Sequence, residues 1–137
     1  MRIDRIELRH TKMILVTPFV TSMGTEYDEQ HIMVRVDAEG VTGWGECVAE
    51  ETPFYSYETV PTAWHILNDF LIPAIIGKDI ASVDEAIASY AKVRGHMMAK
   101  AGLEAALYDA FAKSKGISLS KMLGGTQEKI KVGVSLG

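Results

Sequence analysis

A chain of 137 residues with 47% hydrophobic and 23% charged residues has the composition of one compact globular domain, which argues against a disordered chain. Its net charge of -4 argues against nucleic-acid binding, because such a surface needs clustered positive charge to displace counterions. The longest apolar stretch, residues 70–76, is too short to span a bilayer, and the single cysteine, Cys47, fits a reducing cytoplasm.

Three strands are predicted in the first part of the chain. A β-type pattern runs from Ile3 to residue 16 and stops at Thr17-Pro18. Residues 30–37 alternate, with one face made of Ile32, Val34 and Val36. Gly40 closes a turn, and residues 41–47 return beside the previous strand. The sequence therefore predicts a three-stranded antiparallel sheet.

Helices are predicted after residue 60. Pro61 suits a first helical turn, and an apolar stripe follows at Ala63, Leu67, Phe70 and Leu71. A capping box at residues 82–85 opens a second helix. The predicted fold class is therefore α+β, a three-stranded antiparallel sheet followed by a helical bundle.

The strongest helix is predicted over residues 97–113, with Gly116 as its C-terminal cap. Two ion pairs at i,i+4 spacing, Lys100–Glu104 and Asp109–Lys113, are expected on its solvent side. Small residues make this helix thin and allow close approach of another element; they are Ala101, Gly102, Ala105, Ala106 and Ala112.

The tail alternates as one more strand over residues 129–136, after a break at Gly124-Gly125. A strand that follows a helical region and has no later partner suggests the start of a second domain. We therefore expect a truncated chain, with one domain over residues 1–125 and the beginning of another over residues 126–137.

The segment GWGECVAEETPFYSYET, residues 43–59, places three aromatic side chains on a loop that has no periodicity to bury them. Loop aromatics often fold back on their own core, and for Phe54 and Tyr57 that interpretation stays open. Glu50-Glu51 resembles a carboxylate pair, but adjacent loop acids are more often solvated. Cys47, within the strand, is interpreted as a small buried hydrophobe.

Several motifs together resemble one family. They are ALYDA at residues 106–110, Lys113, Gly116, Leu119 and LGG at residues 123–125, with TPFVTSMGTEYDEQHIMVRV and GWGECVAEETPFYSYET before them. In combination they are similar to the N-terminal capping domain of the enolase superfamily, in its muconate-lactonizing branch. Within that branch the chain most resembles o-succinylbenzoate synthases and N-acylamino acid racemases.

The resemblance implies a function for the crowded aromatics. In that family two loops of the capping domain close over the mouth of a (β/α) barrel, and by position they are residues 19–25 and 50–57 here. Apolar walls with a few polar groups suit an acyl substrate. The implied substrate-binding residues are Phe19, Thr21, Met23, Tyr55 and Ser135, the last near the end of the first barrel strand.

The resemblance also implies that the catalytic and metal-binding residues lie outside this chain. The family's catalytic lysines and the three acids that hold magnesium belong to later barrel strands, and 137 residues cannot contain a whole barrel of roughly 250. We therefore expect neither catalytic residues nor a metal site in this chain. Its partners would be the barrel domain and a small carboxylate substrate, with no nucleic acid or membrane, in a homo-oligomeric cytoplasmic enzyme.

Two alternatives stay open. The complete protein would be a dipeptide epimerase or muconate cycloisomerase instead, or the chain would be a free-standing α+β binding module without chemistry.

Overall fold

The computed structural model describes residues 1–134. A three-stranded antiparallel sheet of order β1-β2-β3 comes first, and helices cover one of its faces. The strands are β1 (Arg5–Thr21), β2 (Gly24–Ala38) and β3 (Val41–Cys47). The helices are α1 (Val60–Ile66), α2 (Ile72–Ile75), α3 (Val83–Ser89), α4 (Met97–Ser114) and α5 (Leu119–Met122). The predicted α+β class, sheet first and helices after, is confirmed.

The core lies between the sheet and the helices. The predicted inner face of β2, Ile32, Val34 and Val36, is fully buried, because alternate residues of a strand point to the same side. From the helical layer the fully buried partners include Ala63, Leu67, Leu71, Leu103, Ala106 and Leu107. Apolar burial on this one face therefore joins the two halves of the chain.

The turn between β2 and β3 is a two-residue loop, since Ala38 pairs with Val41. Both central residues have positive φ, 48° at Glu39 and 82° at Gly40, as the type I′ turn that suits a twisted hairpin requires. Glu39 is held in this less favourable conformation by a bond from its backbone N–H to Asp4 Oδ2 (2.8 Å). The predicted turn is confirmed.

The first two strands are longer than the sequence pattern predicted. β1 continues past Thr17-Pro18 to Thr21, and β2 begins at Gly24 rather than residue 30. The pairing is irregular between Ile14 and Phe19, where Pro18 has no N–H for the ladder. We call residues 11–31, which extend beyond the end of β3, the hairpin arm. The expected loop at residues 19–25 is thus mostly strand, with a tip at Ser22-Met23.

Helix α4 packs directly on the backbone of β3. A Cβ atom added to Gly45 would lie 2.1 Å from the Gly102 carbonyl oxygen, and one added to Gly43 would lie 2.1 Å from that of Ala106. Distances this short leave no room for any side chain. The close approach predicted from the small residues of α4 is confirmed, and glycines on β3 provide the other side of it.

Two side chains of α4 also bind the free edge of β3. Asp109 Oδ2 accepts a bond from the Trp44 N–H (2.8 Å), and Lys113 Nζ donates to the Thr42 carbonyl (2.8 Å). The predicted Asp109–Lys113 pair forms at 2.7 Å. The predicted Lys100–Glu104 pair was wrong: Lys100 Nζ reaches back to the Val93 carbonyl, an acceptor that the turn before the helix leaves free.

One helical stretch runs through α1, a π-helical turn (Leu67–Leu71) and α2. Its buried row has four-residue spacing, and Phe70, predicted to face inward, is 47% exposed. Phe70 lies one residue out of that row, where the wider π turn rotates it towards solvent. Its ring meets His65 edge-on at 5.3 Å.

The predicted helix ends are present. Ser82 Oγ accepts a bond from the Glu85 N–H (3.2 Å), although Glu85 Oε2 binds the Ala81 N–H instead of completing the capping box. At the end of α4, Gly116 has a φ of 63° and the Ile117 N–H reaches the Ala112 carbonyl (3.1 Å), as in a Schellman cap.

Residues 129–134 are exposed and are not paired into a strand. Alternation alone does not make a strand, because its N–H and C=O groups need a neighbouring strand, and residues 1–134 supply none there. Residues 135 and 136 of the predicted strand lie outside the described residues.

Across residues 1–134, no helix combines the length and the apolar character needed to cross a membrane.

Candidate functional site

The tip of the hairpin arm is a tight turn with exposed apolar side chains beside it. Thr21 pairs with Gly24, and Thr21 Oγ1 accepts a bond from the Met23 N–H (3.1 Å) and lies 3.4 Å from the Gly24 carbonyl. Met23 is 61% exposed and Phe19 is 56% exposed. Thr21 therefore shapes the turn that presents Met23 to solvent.

The second segment is the aromatic loop, residues 50–57. Its base is closed by a bond from the Val60 N–H to the Glu50 carbonyl (2.8 Å). Phe54, Tyr55 and Tyr57 are between 67% and 78% exposed, so the alternative in which Phe54 and Tyr57 fold back into the core is wrong. Val60 and Ala63, which follow the loop in α1, are buried instead.

Hydrogen bonds join the bases of the two segments. Gln30, in the arm, donates from Nε2 to Glu51 Oε2 (2.7 Å), and Gln30 Oε1 lies 2.9 Å from His10 Nε2. Between them is a cleft of about 130 Å³ lined by Glu26, Asp28, Glu29, Gln30, Glu50, Glu51 and Thr52. The structure thus brings the arm and the aromatic loop together at one end of the sheet.

The cleft is acidic, and this affects Glu50. Partial burial raises the pKa of the Glu50 carboxyl, and the nearby Glu26 and Glu29 raise it further. In residues 1–134 no three acidic, histidine or cysteine side chains are arranged to hold a metal ion. The acids of the cleft therefore do not form such a group of three within residues 1–134.

Glu58, directly after the aromatic loop, is a functional candidate that the sequence did not reveal. It is 2% exposed, and its carboxylate accepts bonds from the Met98 N–H (2.9 Å) and the Ala99 N–H (3.1 Å) in the first turn of α4. One signal was available: the residues before α4, Arg94-Gly95-His96, include no Ser, Thr, Asp or Asn whose side chain could accept a bond from the helix N-terminus. An acceptor from elsewhere was needed, but its position was not predictable.

The structure shows the position of every other residue singled out from the sequence except Ser135. Cys47 is fully buried and burial raises the pKa of its thiol, which confirms the interpretation of a small buried hydrophobe. Ser135 lies outside the described residues. Phe19, Thr21, Met23 and Tyr55 lie on the arm tip and the aromatic loop, and their contact with substrate stays a prediction.

Comparison with known families gives one match over most of the chain. The model of the N-terminal domain of mandelate racemase / muconate lactonizing enzyme matches residues 5–124. This range contains the sheet, every helix given above and both exposed segments.

Comparisons with individual proteins agree. The chain is 46% identical over 136 residues to an o-succinylbenzoate synthase of Geobacillus kaustophilus, covering 98% of this chain and 36% of that protein. It is 39% identical over 137 residues to an N-succinylamino acid racemase of Thermus thermophilus, covering 100% and 37%. A solved enolase-superfamily member from Listeria innocua superposes with a TM-score of 0.92 at 36% identity, covering 99% and 37%. The chain thus spans just over a third of the length of these relatives.

Proposed function

The chain belongs to the N-terminal domain family of mandelate racemase / muconate lactonizing enzyme, and from this premise we propose that it caps the substrate of an o-succinylbenzoate synthase, an N-acylamino acid racemase, or an enzyme with both activities. The complete enzyme would form o-succinylbenzoate by dehydration, for menaquinone biosynthesis. It would also, or instead, racemise N-acylamino acids by removing the proton α to the carboxylate.

The observation that carries this proposal is the exposed apolar surface of the arm tip and the aromatic loop. Phe19, Met23 and Tyr55 are each more than half exposed, and the bases of their segments are joined through Gln30 and Glu51. Large exposed apolar side chains on neighbouring segments are typical of binding surfaces. Two aromatic rings and a thioether suit the apolar part of an acyl group, and Thr21 supplies a polar group beside them.

The chemistry itself would take place on another domain. Enzymes of the enolase superfamily generally use magnesium, and within residues 1–134 no three acidic, histidine or cysteine side chains are grouped to hold it. We therefore place the metal ligands and the proton-transferring residues in a barrel domain, with none in this chain. This chain would contribute exclusion of water and orientation of the acyl group once the substrate is bound.

The proposed domain division is a capping domain over residues 1–125 and the first barrel strand within residues 126–137. The family match ends at residue 124. Beyond it Ile130, Val132 and Val134 are 74–84% exposed, as expected of side chains that the barrel would bury, and Ser135 would reach the substrate from this strand. Trimming the chain after Gly125 should reduce self-association in sedimentation, because an open apolar edge promotes it. Unchanged sedimentation would contradict the division.

We place the complete enzyme in the cytoplasm, which the single free cysteine, Cys47, supports. We also propose that the complete enzyme is a homo-oligomer. The direct test of the proposed function is the activity of the complete enzyme. The complete enzyme should produce o-succinylbenzoate or racemise N-succinylamino acids, and Tyr55→Ala and Met23→Ala should each lower kcat/KM by about 10- to 200-fold, as expected for loss of one apolar wall group.

The control for these two variants is the exposed Val16→Ala on the same arm, away from the tip, which should retain the activity of the unmodified enzyme. Activity on dipeptides or on muconate alone would favour a dipeptide epimerase or a muconate cycloisomerase. Wild-type turnover of all acyl substrates by both wall variants would show that the two segments do not cap the substrate. If the complete protein has none of these activities, this chain would be a binding module without chemistry.

A further inference from the structure

We propose that Glu58 is a positioning residue for the aromatic loop: its buried carboxylate fastens the end of the loop to the first turn of α4 and so sets where Tyr55 meets the substrate. This inference rests on the proposed function, because Glu58 would act on the substrate only through the loop. It gives the buried carboxylate a role beyond capping α4.

The burial of Glu58 is itself unusual. Of the residues that the structure describes, it is the one buried residue of the Asp, Glu, Lys and Arg types. An ionised side chain is expensive to remove from water unless hydrogen bonds replace its hydration. Here both carboxylate oxygens have a donor, since Oε1 accepts from the Met98 N–H and Oε2 from the Ala99 N–H.

The donors belong to a helix end that needs an acceptor. α4 is an 18-residue helix, and the first four N–H groups of any helix have no partner within it. His96 at the cap position is left-handed (φ 54°) and provides no side-chain bond. A carboxylate is the favoured group there, because the helix N-terminus carries partial positive charge.

Glu58 is also the last of three attachments of the aromatic loop. The first joins Glu51 to Gln30 of the arm, and the second joins the Glu50 carbonyl to the Val60 N–H. Between them Phe54, Tyr55 and Tyr57 are exposed, so packing in the core does not hold Tyr55 and the attachments are left to set its position. Ser56 Oγ accepts a bond from the Glu58 N–H (3.3 Å), which links the third attachment to the loop itself.

Removal of the carboxylate should loosen the loop without unfolding α1. Helix α1 has its own capping box, formed by Thr59 and Thr62, and does not use the Glu58 side chain. A substitution at Glu58 should therefore affect two distant places, the first turn of α4 and the aromatic loop. A purely structural role predicts an effect on stability alone.

The test compares Glu58→Ala and Glu58→Gln with Ser82→Ala in the complete enzyme. Ser82→Ala removes a helix cap from α3, which has no contact with the aromatic loop among the bonds described for residues 1–134, so it reproduces the loss of a cap. Glu58→Ala should lower kcat/KM by about 100-fold, as displacement of a positioning group by an ångström does. The kcat/KM of Glu58→Gln should lie between those of Glu58→Ala and the wild type. The amide oxygen of glutamine replaces one acceptor, but its NH₂ group cannot replace the other.

Chymotrypsin provides a readout that does not depend on activity. It cleaves after aromatic residues, and Phe54, Tyr55 and Tyr57 lie in the loop. Under native conditions cleavage within residues 54–57 should be faster in both Glu58 variants than in wild type, and unchanged in Ser82→Ala. If Glu58→Ala does not fold, Glu58→Gln alone decides by the same two measurements.

The proposal is overturned if the folded Glu58 variants lose no more kcat/KM than Ser82→Ala and show wild-type cleavage of the loop. Failure of the proposed function is distinguishable from this. In that case the wild-type enzyme itself would lack both the dehydration and the racemisation, while the cleavage rates would still report whether Glu58 holds the loop.

Discussion

The packed body of the domain and the segments that project from it use apolar residues in opposite ways. In the body, Leu103 and Leu107 of α4 are fully buried, and the glycines of β3 let the helix backbone contact the strand. In the hairpin arm and the aromatic loop, Val16, Met23 and Phe54 are each more than 60% exposed. Hydrophobicity alone therefore does not tell which residues hold this fold together.

The difference has an energetic meaning. Burial of one large apolar side chain stabilises a fold by about 1.5–3 kcal/mol, and the projecting side chains contribute almost none of this. They are kept at the surface by segments whose bases are firmly bonded, at Gln30–Glu51 and Glu50–Val60. A rigid base below an exposed apolar tip is an arrangement suited to binding.

The largest effect on stability is expected at Gly45, where the packed body is tightest. In Gly45→Ala the new Cβ would lie 2.1 Å from the Gly102 carbonyl oxygen, so α4 and β3 must separate, at a cost of about 3 kcal/mol or more. The control is Gly133→Ala, whose Cβ would meet nothing within 4 Å and should leave stability unchanged. Denaturant unfolding of both variants measures this, and a Gly45→Ala variant as stable as the control would contradict the packing described.

A smaller effect is expected where α4 binds the edge of β3. Asp109→Ala removes the acceptor of the Trp44 N–H and the partner of Lys113, and should lower the free energy of unfolding by about 1–2 kcal/mol. Glu104→Ala, on the same helix, is the control and should change stability by less than about 0.5 kcal/mol. Equal losses in the two variants would show that the bond to β3 contributes nothing.

The smallest effect concerns the acidic cleft and depends on pH. Because the pKa of folded Glu50 is raised above its ordinary value of 4.5, ionisation of this group destabilises the fold, and stability is lost as pH rises from 4.5 through the folded pKa. Glu50→Gln should therefore be more stable than wild type at neutral pH, by less than about 1 kcal/mol. The gain should disappear as pH falls below 4.5.

Thermal unfolding at several pH values, with the exposed Glu128→Gln as control, measures this effect. The control, at an exposed residue outside the cleft, should change the midpoint of unfolding little. A gain in Glu50→Gln that grows on acidification would mean that the carboxylate is favoured in the fold, and the account of the cleft would be wrong.

The packed body could be predicted from the sequence to a greater extent than the projecting segments. The body follows from local rules: alternation predicted the buried face of β2, and small residues predicted the close approach of α4. The length of the arm did not follow, because Pro18 ended the pattern while pairing with β2 continued beyond it. Glu58 did not follow either, since its donors are 40 and 41 residues away and no local pattern encodes such a contact.

The most direct test of the account is a crystal structure of the complete enzyme with o-succinylbenzoate or an N-succinylamino acid bound. We expect side-chain atoms of Met23 or Phe19 and of Tyr55 to lie within about 4.5 Å of the ligand, which is the range of apolar contact, and Glu58 to bind the first turn of α4 as it does here. A bound ligand with neither the arm tip nor the aromatic loop within that distance would contradict it.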